Sequence, residues 1–186
     1  TRHPDINMIS FTGSTRAGAL ISQNAANDFK RVSLELGGKG ANIIFKDADP
    51  KAIEWGALRC FKNSGQSCNA PTRMLVSSKN YDKAVEVAVA TANSTTVGDP
   101  NGEFRIGPIS NKTQYEKILK LIEIGIKEGA KLVAGGVEKP EGCEKGYYVK
   151  PTVFADVTND MTITQEEIFG PVLCMMKYET EEEAIQ

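Results

Sequence analysis

Short strand-like runs and longer helix-like runs alternate along almost the whole chain, and this alternation constrains the fold more than any other feature. Ile6–Phe11, Val32–Leu36, Asn42–Phe45, Arg73–Ser77, Lys131–Ala134, Tyr147–Val149, Val153–Ala155 and Val172–Lys177 have the length and apolar content of strands. Between them, Ile21, Ala25 and Phe29 mark one helical face, and Thr12–Ser14 is expected to turn ahead of it. Asp49 and Pro50 read as the start of a second helix, whose face is Ile53, Ala57, Cys60 and Phe61 until Ser64-Gly65 breaks it. A third stripe is Tyr81, Val85, Ala88, Val89 and Ala92. The clearest helix spans about Lys112 to Glu128, with Tyr115, Ile118, Leu119 and Ile122 inward and Gly129 as the stop. Strands separated by helices predict an α/β fold: an open, mainly parallel sheet with flanking helices. Pro140–Lys145 is expected to be an exposed loop.

Composition narrows the function classes. The chain has 186 residues, 40% hydrophobic and 25% charged, as in an ordinary globular protein. A net charge of −2 gives no pull toward nucleic acid or an anionic membrane. No apolar run reaches the length of a bilayer span. Cys60, Cys68, Cys143 and Cys174 form no C-x-x-C pair, which argues against a metal site and for free thiols in a reducing cytoplasm. His3 is the only histidine. The chain opens on Thr1 without a methionine, and Thr180 and Glu183 form a capping-box pattern whose helix stops at Gln186. A segment of a longer protein is therefore expected.

Three stretches carry chemistry. In Asn63-Ser64-Gly65-Gln66-Ser67-Cys68 the cysteine follows a helix break, in a polar loop of small residues. Structural cysteines sit on apolar stripes, as Cys60 does, so Cys68 is the candidate reactive thiol and stands against a purely structural reading. A cysteine hydrolase would need histidine as its base, and His3 lies in a polar leader that reads as surface. A carboxylate is the alternative. Glu35 sits inside the apolar run Val32–Leu36, where it either faces solvent at a sheet edge or, partly buried, becomes a usable base. Phe11-Thr12-Gly13-Ser14-Thr15 runs from strand into helix, so backbone amides there could hold a phosphate, or Ser14 or Thr15 could simply cap the helix. Gln165–Pro171, with Glu166 and Glu167 adjacent, reads on its own as a solvated turn before the strand at Val172.

Taken together these stretches resemble the aldehyde dehydrogenase superfamily. The family's glutamate motif appears as Glu35-Leu36-Gly37-Gly38-Lys39, its cysteine motif as Gly65-Gln66-Ser67-Cys68, and its Glu-x-Phe-Gly-Pro motif as Glu167–Pro171. Phe11–Thr15 matches the turn before a cofactor-domain helix. The motifs stand in family order, and the resemblance covers essentially the whole chain. It implies a dinucleotide-binding part ending at residue 34 and a catalytic part over 35–186, each truncated. It also implies roles. Cys68 would add to an aldehyde carbonyl, and Glu35 would activate the water that hydrolyses the resulting thioester. The Cys68 amide would form half of an oxyanion hole. Glu167 and Phe169 would hold the nicotinamide end of NAD or NADP, while Thr12, Gly13, Ser14 and Leu36 line the cofactor cleft. Gln114 matches a cofactor-contacting position and equally fits a helix N3 position after Asn111. The partners implied are a small aldehyde and, for the whole enzyme, other copies in a homodimer or homotetramer. The segment alone is not expected to turn over, because the upstream asparagine of the oxyanion hole and the ribose-reading residues precede Thr1. Two rivals are a CoA-acylating semialdehyde dehydrogenase, whose branch generally lacks Glu35, and a non-catalytic α/β module with a redox-sensitive thiol.

Overall fold

The computed structural model describes all 186 residues, in two compact units, Thr1–Gly38 and Lys39–Gln186. The first unit is a β-α-β piece. Strand β1 (Met8–Gly13) and strand β2 (Arg31–Leu36) pair in parallel from Met8 against Arg31 to Gly13 against Leu36, joined by helix α1 (Thr15–Ala26). Ser14 caps α1, its hydroxyl accepting from the Ala17 amide at 3.3 Å. β1 begins later than expected and runs through Thr12 and Gly13, so the turn is confined to Ser14. Ala25 is buried, but Phe29 is 95% exposed, because the helix ends before it and its backbone has turned to φ 52. The buried Lys30 ammonium fastens the leader by donating to the carbonyls of His3 and Ile6, and it pairs with Asp28 at 3.4 Å.

The second unit is a five-stranded sheet with helices on both faces. Its strands are β3 (Ala41–Ile44), β4 (Arg73–Ser77), β5 (Lys131–Ala134), β6 (Thr152–Ala155) and β7 (Val172–Tyr178), in the order β3-β4-β7-β6-β5. All neighbours are parallel except the β5 edge, which is antiparallel to β6. Central strand β7 faces two cores. Leu173 and Met175 pack with α2 (Ala52–Phe61) and α3 (Tyr81–Ser94), through Ile53, Ala57, Phe61 and Ala88. Val172 and Cys174 pack with α4 (Lys112–Lys127), through Ile118 and Ile122. Double-sided burial explains the unbroken apolar run Val172–Met176. Two short helices, α5 (Thr162–Gln165) and α6 (Glu181–Ile185), complete the unit. No helix is long and apolar enough to cross a membrane.

Several local expectations are corrected. Tyr147–Val149 forms no strand; its Tyr147 carbonyl accepts from the Ile109 amide at 2.8 Å, and the Tyr147 ring lies 5.7 Å from that of Tyr115. Helix α2 opens at Ala52, because the Asp49 carboxylate first closes a turn on the Lys51 amide at 2.7 Å. On α4, Leu121 and Gly125 are buried while Tyr115 and Leu119 are half-buried. Pro140–Lys145 is a loop, but Pro140 and Cys143 are buried within it, the thiol 3.7 Å from the Val97 carbonyl. The Thr180 hydroxyl accepts from the Glu183 amide as a cap should, while the Glu183 carboxylate reaches back to the Glu179 amide rather than to that of Thr180.

Candidate active site

Strands β4 and β7 are parallel neighbours, with Arg73 opposite Cys174. The segments that feed them must therefore enter the sheet at the same end and side by side. One segment carries Cys68 and the other carries Glu167 and Phe169. This topology brings the two motifs together across a hundred residues of sequence (169 − 68 = 101).

The cysteine loop is built from an unusual backbone. After α2 the chain makes a 3-10 turn over Lys62–Gly65, and Asn63, Ser64 and Gly65 stand in succession at φ 55, 55 and 69. Left-handed conformation costs roughly 1 kcal/mol or more for a residue with a Cβ. Side-chain hydrogen bonds hold it in place. The Ser64 hydroxyl donates to the Gly107 carbonyl at 2.7 Å. The Asn63 amide group donates to the Gln66 carbonyl at 3.0 Å. The Gln66 side chain donates to the Pro108 carbonyl at 3.3 Å and accepts from the Ser110 amide at 2.8 Å. Cys68 itself is exposed, and its backbone N–H is taken up by no protein acceptor. Cys60 and Cys174 are fully buried, and burial pushes the Cys60 thiol up to about 12.

The facing segment is held from α4. Asn111 caps that helix by accepting from the Gln114 amide at 2.9 Å, so the N3 expectation for Gln114 holds. Its side chain does more, donating to the carbonyls of Ile168 at 2.8 Å and Phe169 at 3.1 Å. One turn later, Lys117 donates to the Glu167 carbonyl at 2.7 Å. Phe169 takes φ 55 and stays half-buried, as does Glu167. Ile168, Gly170 and Pro171 are buried, so this is not the solvated turn that sequence alone suggests. The two segments touch: a Cβ on Gly65 would lie 2.0 Å from the Gly170 carbonyl oxygen. Through Gln66, Ser110, Asn111 and Gln114, the Cys68 loop and the Phe169 segment belong to one hydrogen-bonded frame.

Lys39 is an unanticipated part of this region, named in the sequence only as the last residue of the Glu35-Leu36-Gly37-Gly38-Lys39 motif. Its ammonium is buried and makes no hydrogen bond, and the same holds for Nε of Arg73. Burial lowers the Lys39 pKa; nearby Cys174 and Cys60 oppose this, and Arg73 adds to it. The other expected residues lie in the first unit. Glu35 is exposed on β2, and Leu36 ends that strand half-buried. Thr12 and Gly13 end β1, and Ser14 caps α1, whose first turn carries no acidic residue.

The profile of the aldehyde dehydrogenase family matches residues 1–186. The chain belongs to the aldehyde dehydrogenase family. A Pseudomonas sp. relative, 3-succinoylsemialdehyde-pyridine dehydrogenase, is 50% identical over 99% of this chain and 39% of its own length. Among solved structures, an aldehyde dehydrogenase of Bartonella henselae is 60% identical with a TM-score of 0.97, covering 99% of this chain and 39% of that one. A C291A mutant of aldehyde dehydrogenase C from Pseudomonas syringae, in complex with NAD+ and octanal, is 49% identical with a TM-score of 0.97, covering 99% and 38%. This aldehyde dehydrogenase segment thus spans about two fifths of the length of the relatives it matches.

Proposed function

We propose that the protein containing this segment oxidises an aldehyde to a carboxylic acid, with NAD(P)+ as cofactor, through a thioester on Cys68. The observation that carries the reading is an exposed thiol with an unengaged amide, on a loop locked against the Glu167–Pro171 segment. The Cys68 sulfur bonds to the aldehyde carbon as the carbonyl π pair moves onto oxygen. The Cys68 N–H supplies one donor to that developing alkoxide. The cofactor, when bound, supplies the hydride acceptor that turns the thiohemiacetal into a thioester. Glu35 then removes a proton from the water that attacks the thioester carbon, and the carbon–sulfur bond breaks to return the Cys68 thiolate.

The residues present fit a dinucleotide. The Ser14 hydroxyl and carbonyl take the Ala17 and Gly18 amides, leaving those of Thr15 and Arg16 without partners inside the helix. That helix start suits an anion. We assign Glu167 and Phe169 to the nicotinamide end and Thr12, Gly13, Ser14 and Leu36 to the cleft. Gln114 and Lys117 position the Glu167–Phe169 backbone. Solved relatives carrying NAD+ support NAD+ as the cofactor. A cytoplasmic location, in keeping with four free cysteines, and a homodimer or homotetramer belong to the same reading.

The test is Glu35→Gln in the full-length protein, followed by stopped-flow absorbance of the reduced cofactor. Thioester formation does not need the activated water, so a burst should persist while steady turnover falls about 10²–10⁴-fold. Wild-type turnover by Glu35→Gln would overturn the base assignment and favour CoA as the acyl acceptor.

A further inference from the structure

Lys39 takes no part in the chemical steps above, yet its ammonium is buried and bonds to nothing. A buried charge without hydrogen-bond partners is among the costliest groups a fold can keep. Its neighbours lie at the start of β7. The Cys60 thiol of α2 is 3.6 Å from the Val172 carbonyl, Cys174 lies farther along β7, and Arg73 of β4 stands opposite Cys174. The groups that act on the Lys39 charge are Cys174, Cys60, Arg73 and Glu167. Burial raises both thiols, Cys60 to about 12, so at neutral pH neither carries charge. Arg73 is cationic and repels. Glu167, just ahead of Val172, is the one carboxylate of the set, and it favours the charged form of Lys39.

Hydrogen bonds hold the two residues in this relation. Arg73 donates to the Lys39 carbonyl at 2.8 Å and to the Asn159 side chain at 3.4 Å. The Asn159 carbonyl accepts from the Thr164 hydroxyl at 3.0 Å and from the Gln165 side-chain amide. Thr164 and Gln165 lead straight into Glu166-Glu167. The last residue of the Glu35–Lys39 motif is thereby tied to the segment that delivers Glu167.

We propose that Lys39 is a positioning residue, whose buried ammonium is the fixed countercharge that holds the Glu167 carboxylate in place at the nicotinamide end. Charges interact more strongly through a protein interior than through water, so the pair needs no direct hydrogen bond. This role rests on the assignment of Glu167 to the nicotinamide.

The test uses Lys39→Met, Glu167→Gln and the double variant of the full-length protein. Methionine keeps the bulk of the side chain and removes its charge. NAD+ affinity is read by calorimetry, the burst of reduced cofactor by stopped flow, Tm by thermal denaturation, and amide exchange at Ile168 and Phe169 without cofactor. Lys39→Met should weaken NAD+ binding or slow the burst about fivefold or more, and speed the exchange. Its Tm should not fall, because an unpaired buried charge has been removed. In the Glu167→Gln background the same substitution should change none of these further. Wild-type binding, burst and exchange in Lys39→Met would overturn the role. So would losses of equal size in both backgrounds, or losses that come with a lower Tm, which mark a merely structural lysine. Wild-type NAD+ affinity and burst in Glu167→Gln would refute the nicotinamide assignment, and with it the positioning role; coupled exchange would then still sustain the charge tie, and uncoupled exchange would refute that as well.

Discussion

Replacing Gly65 by alanine tests the frame that holds the thiol. Its φ of +69 costs an alanine roughly 1 kcal/mol. The new Cβ would also meet the backbone of Gly170 and Pro171, at 2.0 Å from the carbonyl oxygen and 2.7 Å from the proline nitrogen. Neither neighbour is a side chain that can swing aside, so one of the two segments must shift, and overpacking of this kind costs about 1–3 kcal/mol. The sum is roughly 2–4 kcal/mol, a drop in Tm of roughly 4–16 °C for a chain of this size. Gly142→Ala is the control: φ is +73, but nothing lies within 4 Å of the added carbon, so only the conformational cost of roughly 1 kcal/mol applies. Thermal and urea denaturation of the two variants side by side gives the comparison. Equal destabilisation by both substitutions would refute the contact between the cysteine loop and the Gly170–Pro171 turn.

Three further outcomes follow from the same geometry. Gln114→Ala strips the donor from the Ile168 and Phe169 carbonyls, which should cost about 1–3 kcal/mol and speed amide hydrogen exchange around Gly170; unchanged exchange would remove Gln114 from the frame. Brief alkylation followed by mass mapping should label Cys68 first, with Cys60, Cys143 and Cys174 protected, and early labelling of Cys60 would invert the assignment of the α2 face. The third concerns alkaline pH. Cys60 in the folded chain is raised from 9.0 to about 12, chiefly by burial, so the stability tied to its protonated thiol is present in full below pH 9.0 and is lost as pH rises toward 12. The slope is about 1.4 kcal/mol per pH unit per group. Cys60→Ala should flatten the alkaline arm of a stability–pH profile by one group, leaving the parallel contributions of Cys174 and Tyr81.

Sequence periodicity sufficed where the structure obeys a regular period. Arg73–Ser77 and Lys131–Ala134 are strands over the spans expected, and Ile118 and Ile122 are core residues of α4. It failed at Phe29 and Cys143, where an isolated backbone turn or a loop folded inward decides exposure. At the site, the exposed Cys68 against the buried Cys60 was legible, because one sits in a polar loop and the other on an apolar stripe. The frame behind Cys68 was not. Bonds such as Gln66 to Pro108 and Gln114 to Phe169 join residues far apart in sequence, and only the parallel pairing of β4 and β7 makes them neighbours. Lys39 escaped for a similar reason, since nothing local to Gly37-Gly38-Lys39 announces a buried ammonium.

The most direct test of the central claim is to trap the thioester. In the full-length Glu35→Gln protein, mixed with aldehyde and NAD+ and quenched in acid within the burst, the peptide carrying Cys68 should gain the mass of the acyl group. The gain should be absent without NAD+, and in Cys68→Ala no cysteine should carry it. An acyl group on any other residue, or a normal burst of reduced cofactor from Cys68→Ala, would contradict the assignment of Cys68 as the nucleophile.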